Sequence, residues 1–199
     1  MAEVRRQERG RRRIEQILLA AAEVFAERGY ENATTNAIAA AAGISPGSLY
    51  QYFRNKEEMA AALAELYRER LVAFRGTFEA GDDPADLDVL LNRILGPLVE
   101  FNLANPGFKA LFARTDMPAA LRVAVTPAHQ AIHRQVEGLI GAIFPELAPV
   151  DRSRTTAVAI QTLRGMMPMI VDAPESDRPA LVDELRLVLR SYLLARAGR

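Results

Sequence analysis

The stretch 34–56, TTNAIAAAAGISPGSLYQYFRNK, gathers hydroxyls, amides and tyrosines and ends on Arg54 and Lys56. No carboxylate falls between Asn32 and Arg54, although 25 of the 199 residues are acidic. A polyanion can therefore approach this segment without local repulsion. Thr35, Tyr50, Tyr52 and Lys56 can donate to phosphate oxygens, the contacts that hold a protein in register on a duplex. A second constellation lies far downstream, where His129, His133 and Glu137 stand at i, i+4 and i+8. Two histidines so spaced share a helix face and can take a metal or a polar ligand. No fourth metal ligand accompanies them, and no metal is expected. Cysteine is absent, as are a glycine-rich phosphate loop, a nucleophile elbow and a paired-carboxylate spacing. The expectation is a binding protein without cofactor or catalytic residue; a helical enzyme built on His129 and His133 is the weakest alternative.

The elements that must position these groups read as helices, with no β-alternation. Ile14, Ile17, Leu18, Ala21, Val24 and Phe25 recur at threes and fours, which predicts a first helix over 11–28, closed by Gly29. Thr34 or Thr35 can cap a short second helix ending at Ala42 and Gly43, and Ser45 a third that starts on Pro46. Asn55 and Glu58 form a capping-box pattern that opens a long fourth helix. Its stripe of Tyr67, Leu71, Phe74 and Phe78 runs to Gly81-Asp82-Asp83-Pro84. Five further helical pieces, about 85–104, 107–115, 119–143, 150–171 and 178–197, give an all-α chain of about nine helices. Pro127 and Pro168 fall inside two of these patterns and are expected to kink or split them.

Composition bounds the partners. Formal net charge is zero, so affinity for nucleic acid must be local. Residues 1–56 carry nine basic groups against six glutamates, a balance of +3 that leaves −3 for the remainder. Six arginines lie within the first thirteen residues, which predicts a disordered basic arm over 1–10. No apolar run reaches the ~18 residues of a membrane span, and no signal-peptide pattern follows the arginines. A soluble, cytoplasmic chain is expected.

Three helices within the first 55 residues, the last two joined by Gly43-Ile44-Ser45, form a helix-turn-helix pattern. Ala39 and Ile44 are expected to pack the pair together, with Ile38 and Leu49 reaching the first helix. The third helix would place Pro46, Gly47 and Ser48 toward the major groove. The segments ILLAAAEVFAERGYENATT, IAAAAGIS and GSLYQYFRNKEEM, above all Leu49-Tyr50-x-Tyr52-Phe53-x-Asn55-Lys56, resemble the TetR-type bacterial transcriptional regulators. The resemblance covers about residues 11–63. It implies that Thr35, Tyr50 and Lys56 hold phosphates, and that Asn36, Pro46, Gly47, Ser48, Gln51 and Tyr52 lie at or near base edges or backbone. It also implies a DNA-binding domain over 11–55 and a ligand-binding and dimerisation domain over 56–199.

The last helix is apolar on two sides, Leu181, Leu185, Val188 and Tyr192 on one and Val182, Leu189 and Leu193 on the other. A helix on the outside of a monomer needs one such stripe. Ile160, Leu163, Met167 and Ile170 recur in the helix before it. The resemblance implies that these two helices form a four-helix homodimer bundle, with Ile160, Leu163, Met167, Leu185, Val188, Leu189 and Tyr192 at the interface. Two heads would then read a palindromic operator. Phe101, Phe112, Met117, His133, Phe144, Met166 and Met167 are candidates to line a pocket for an unknown apolar or amphipathic small molecule. Arg70, Arg114, Arg122, Arg134 and Arg164 could meet its carboxylate. The resulting expectation is a ligand-responsive repressor; a non-sensing architectural DNA binder or protein-partner adaptor stays open beside it.

Overall fold

The computed structural model describes residues 2–75, 86–108 and 118–198. Every regular element among them is a helix. α1 (Ala2–Asn32), α2 (Thr35–Ala41), α3 (Pro46–Leu49) and α4 (Lys56–Arg75) precede α5 (Leu87–Ala104), α6 (Ala119–Ile143), α7 (Pro149–Asp172) and α8 (Arg178–Arg196). One further helical turn spans 106–108. The rest of the piece expected at 107–115 lies outside the described residues, as do Phe78, Phe112, Arg114 and Met117.

The first ten residues correct an expectation. In place of a disordered arm, α1 runs back to Ala2. Alanine, arginine, glutamate and glutamine are good helix formers, and extending an established helix fixes only one residue for each bond gained. Gly29 adopts φ 72° and ψ 159° near the other end of α1, a conformation open to glycine at little cost. Of the two candidate caps for α2, Thr34 is used: its Oγ1 accepts from the Ala37 N–H at 3.1 Å. Thr35 is thereby left for other work. Gly43 turns the chain with φ 65°. Ser45 Oγ then accepts from the Ser48 N–H at 3.1 Å and caps α3.

α4 opens as its sequence suggests, with one shift. Asn55 Oδ1 accepts from the Glu58 N–H at 2.8 Å, but Glu58 Oε2 accepts from Arg54 N–H at 2.7 Å, one residue before the cap itself. Pro127 and Pro168 sit inside α6 and α7 without splitting either helix, and Pro97 does the same in α5.

The chain forms two compact units, Met1–Glu69 with Asn105–Ala128, and Arg70–Ala104 with His129–Arg199. The boundary expected after residue 55 falls inside the first. The reason lies in α4, whose Met59, Ala60, Leu63, Ala64 and Tyr67 are buried at helical spacing. With Ile17, Ala21, Phe25, Ile38, Ala39 and Leu49 they make up a solvent-free core. At roughly 1.5–3 kcal/mol for each large apolar side chain buried, the face of α4 is part of what closes the head. Ile44 is only partly buried. Gly107 lies against α1 and α4 of this unit, where an added Cβ would stand 2.5 Å from Ala22 Cβ and 2.8 Å from the Tyr67 hydroxyl. Phe108 meets Tyr67 edge-on at 5.5 Å.

In the second unit α5 packs on α7 and α8, which pack on one another. Leu91, Leu95, Val99, Phe144, Met167, Ile170, Leu185, Leu189 and Leu193 form its core. Among the described residues no helix is long and apolar enough to cross a membrane.

Candidate nucleic-acid interface

Inward and outward residues alternate sharply through α2, α3 and the turn after it. Ile38, Ala39, Leu49 and Phe53 are buried, which directs Asn36, Pro46, Gly47, Tyr50, Gln51 and Tyr52 to solvent. Tyr50 is 51% exposed and Tyr52 40%, well beyond what a core reading of these aromatics would allow. Thr35 and Ser48 are partly covered. Thr35 Oγ1 and the Tyr50 hydroxyl lie 3.0 Å apart although fifteen residues separate them. The pair joins the first turn of α2 to the exit of α3. One hydroxyl hydrogen satisfies the other oxygen, so the second hydrogen is left for a further acceptor.

The head of α3 is built of small groups. At Gly47 an added Cβ would meet nothing nearer than Ser45 Oγ at 3.9 Å. The protein's own packing therefore does not require glycine at this position, and the bare backbone suits close approach of a ligand. After Leu49 the chain tightens, with Tyr52 N–H donating to Leu49 O at 2.9 Å and Gln51 N–H to Ser48 O at 3.3 Å. These three-residue bonds turn Tyr50 and Gln51 outward while Phe53 returns to the core.

The two carboxylates that follow the segment, Glu57 and Glu58, are occupied. Glu57 accepts from the Tyr30 hydroxyl at 3.0 Å, and Glu58 holds both the Arg54 N–H and, at 3.2 Å, its guanidinium. Burial, then the hydrogen bond to Glu57 and its charge, push the Tyr30 phenol well above its ordinary range. Lys56, expected to hold a phosphate, opens α4 with its ammonium among carbonyls of the chain itself. Its Nζ donates to the carbonyls of Tyr30 and Glu31 at 2.9 Å each and of Ala33 at 3.4 Å. It also lies 4.6 Å from the centre of the Tyr30 ring. Sequence reasoning missed this arrangement. The signal was a glycine break followed by carbonyls without helical partners, the setting that draws a cation to a helix end.

The pocket and metal candidates among the described residues lie in the second unit. Phe144 and Met167 belong to its core, with Met166 packed against it, while Phe101 and His133 are partly buried. His133 Nδ1 stands 3.6 Å from Glu137. Burial first, then the charge of Arg164, hold His129 down at about 4. Arg164 itself is pushed down by burial. Among the described residues no group of three or more acidic or histidine side chains is placed to hold a metal.

Of the residues expected at a dimer interface, Met167, Leu185 and Leu189 lie in the protomer's own core, and Leu163 and Tyr192 pack against it. Ile160 is partly buried and Val188 is 44% exposed. The open apolar side of these helices is another set: Val158 and Met169 on α7 and Leu187 beside Val188 on α8. A shallow depression of about 440 Å³ over Ala157, Val158, Gln161 and Thr162 lies on the same side of α7.

Comparison with known proteins finds two family models on separate parts of the chain. Residues 17–63 match the family model for bacterial regulatory proteins of the tetR family. Residues 86–193, more than half of the chain, match that for the tetracyclin repressor-like C-terminal domain. The fatty acid metabolism regulator protein of Bacillus subtilis is 42% identical over 59 residues, 30% of this chain and 29% of that protein. The nucleoid occlusion factor SlmA of Haemophilus ducreyi is 35% identical over 81 residues, 41% and 39% of the two chains. The matches thus span well under half the length of these curated relatives. A crystal structure of a TetR-family transcriptional regulator from Streptomyces coelicolor superposes with a TM-score of 0.64 at 26% identity, covering 91% of this chain and 97% of that one.

Proposed function

The chain belongs to the tetR family of bacterial regulatory proteins, and from that premise we propose that it is a dimeric, ligand-responsive repressor in the cytoplasm. The observation that carries the DNA-reading half is the hydroxyl pair of Thr35 and Tyr50 within a segment, 32–54, that holds no carboxylate. Thr35 and Tyr50 fix the head on phosphates; Asn36, Pro46, Gly47, Ser48, Gln51 and Tyr52 approach the base edges.

Pairing follows from the open face of α7 and α8. Val158, Met169, Leu187 and Val188 meet their copies across a two-fold axis, with Ala157 and Gly165 allowing close approach. Two heads so related read a palindromic site whose halves lie about one helical turn apart, or a multiple of it. A small apolar or amphipathic molecule enters among the helices of the second unit near Phe101, His133 and Met166. It shifts α4, which runs unbroken from Lys56 to Arg75. A ligand that prefers the released state ~100-fold supplies about 2.7 kcal/mol toward release.

Gel filtration combined with a gel shift on the promoter beside its own gene tests the reading. A dimer that retards this fragment supports it. A monomer without affinity for DNA contradicts it.

A further inference from the structure

We propose that the head selects A·T base pairs through two carboxamides, those of Asn36 and Gln51, each taking the major-groove edge of one adenine. The inference rests on the DNA-reading function above and deepens it by naming the bases and the side chains that tell them apart.

Base pairs differ in the major groove by their donors and acceptors. Guanine shows two acceptors, N7 and O6, and is met by the paired donors of arginine or by lysine. Adenine shows an acceptor at N7 and a donor at N6, and the side chain that offers a donor and an acceptor together is a carboxamide. The segment 33–53 supplies α2, the Gly43 turn and α3, and it holds neither lysine nor arginine. A guanine facing these helices finds no cationic reader. The segment also lacks the carboxylates that would accept from cytosine N4.

Most other polar side chains of the segment are engaged within the protein. Thr34 Oγ1 caps α2. The hydroxyls of Ser45 and Ser48 bond one another at 2.9 Å, and Ser45 Oγ also accepts from the Ser48 N–H. Thr35 and Tyr50 pair at 3.0 Å. Asn36 and Gln51 are exposed, and no hydrogen bond to a described residue holds either carboxamide. Tyr52 adds one exposed hydroxyl, which both donates and accepts and so favours no base.

The hydroxyl pair also places the two amides. Asn36 follows Thr35 in the chain, and Gln51 follows Tyr50. The 3.0 Å contact draws the first turn of α2 to the exit of α3 and brings both carboxamides to one surface. With Thr35 and Tyr50 on phosphates, the register on the duplex is fixed beside each amide. At Gly47 no side chain stands between backbone and groove, so α3 can come close enough for Gln51 to reach a base.

The test is selection from a random duplex pool by full-length wild type, Asn36→Ala, Gln51→Ala and Gln51→Arg, followed by anisotropy titrations on the enriched site. Wild type should fix an A·T pair at two positions of each half-site. Each alanine variant should lose the preference at one of them, keep the others, bind about tenfold more weakly and melt like wild type. Gln51→Arg should change the preference at its position from adenine to guanine. A second duplex carries 7-deazaadenine at the position read by Gln51, which removes N7 alone. Wild type should bind this duplex about tenfold more weakly than the parent, whereas Gln51→Ala should bind the two equally. A merely structural role for Gln51 would weaken the variant on every duplex and leave wild type indifferent to the missing N7. That indifference, an alanine variant with the wild-type profile, or relaxation at a G·C pair would each overturn the proposal. Failure of the wild type to enrich any duplex would instead refute the DNA-binding reading on which the proposal rests.

Discussion

The head and the C-terminal helix pair handle the same difficulty, an exposed functional face, by opposite means. In the head, polar groups are tied down locally. Thr34 caps α2, Ser45 caps α3, Asn55 and Glu58 bracket the start of α4, and Lys56 closes the end of α1. What is left at the surface is a small set of aimed donors. On α7 and α8 the apolar side chains of Val158, Met169, Leu187 and Val188 stand exposed. In the reading proposed above, the head is finished before it meets DNA, whereas the helix pair buries its face only against a second copy.

The sharpest way to break that contrast is to exchange core for face on α8. Leu185→Ala removes a fully buried side chain and is expected to cost about 2–5 kcal/mol, visible as a large drop in denaturation midpoint. Leu187→Glu, two residues on and 58% exposed, should leave protomer folding within roughly 0.5 kcal/mol and convert the dimer to monomer on gel filtration. Equal effects of the two substitutions on folding would erase the distinction between core and interface.

Next in size is Gly107→Ala. Its Cβ would press on Ala22 Cβ at 2.5 Å and on the Ala22 backbone at 2.8 Å, so the turn or α1 must shift. A loss of about 1–3 kcal/mol is expected from overpacking of this kind. Thermal unfolding that matched wild type would show that 106–108 does not seat on the head.

A smaller effect tests the aimed donors themselves. Tyr50→Phe removes one hydroxyl of the Thr35 pair and should weaken operator binding by about 0.5–1.5 kcal/mol without lowering the melting temperature. Thr35→Val should do the same, and the double variant should lose less than the sum, because both remove one bond. Additive losses in fluorescence anisotropy titrations would separate the two hydroxyls.

The gentlest prediction concerns pH in the second unit. His129 titrates at about 4 in the folded chain against 6.5 when free, so the unfolded chain takes up the proton first as pH falls. Above 6.5 neither state is protonated and this histidine has no effect; between 6.5 and about 4 it lowers stability progressively. His129→Gln should flatten the decline over that window in urea titrations at a series of pH values. An unchanged slope would place the effect elsewhere.

What could be read from the chain alone follows the same contrast. Caps, glycine breaks and the proline at the start of α3 are local signals, determined within three or four residues, and Gly29, Gly43, Ser45 and Pro46 act where the spacing puts them. The inward set of Ile38, Ala39 and Leu49 was equally legible, since two short helices on a tight turn leave little choice of face. On α8 there are two apolar stripes, and the choice between core and interface depends on helices distant in sequence. Val188 and Leu185 fall on one stripe by spacing, yet one is open and the other fully buried. The first ten residues misled for another reason: charge density indicated disorder while propensity favoured continuing α1. Lys56 was legible as a cation near the DNA surface, but its three carbonyl partners lie 23 to 26 residues away and could not be read from spacing.

The most direct test of the account is selection of random duplexes by the purified full-length protein at low ionic strength, followed by sequencing. Enrichment of a two-fold symmetric site, its halves about one helical turn or a multiple apart, is the predicted result. A pool as random after several rounds as before them would contradict the claim that α2 and α3 present a surface built to read DNA.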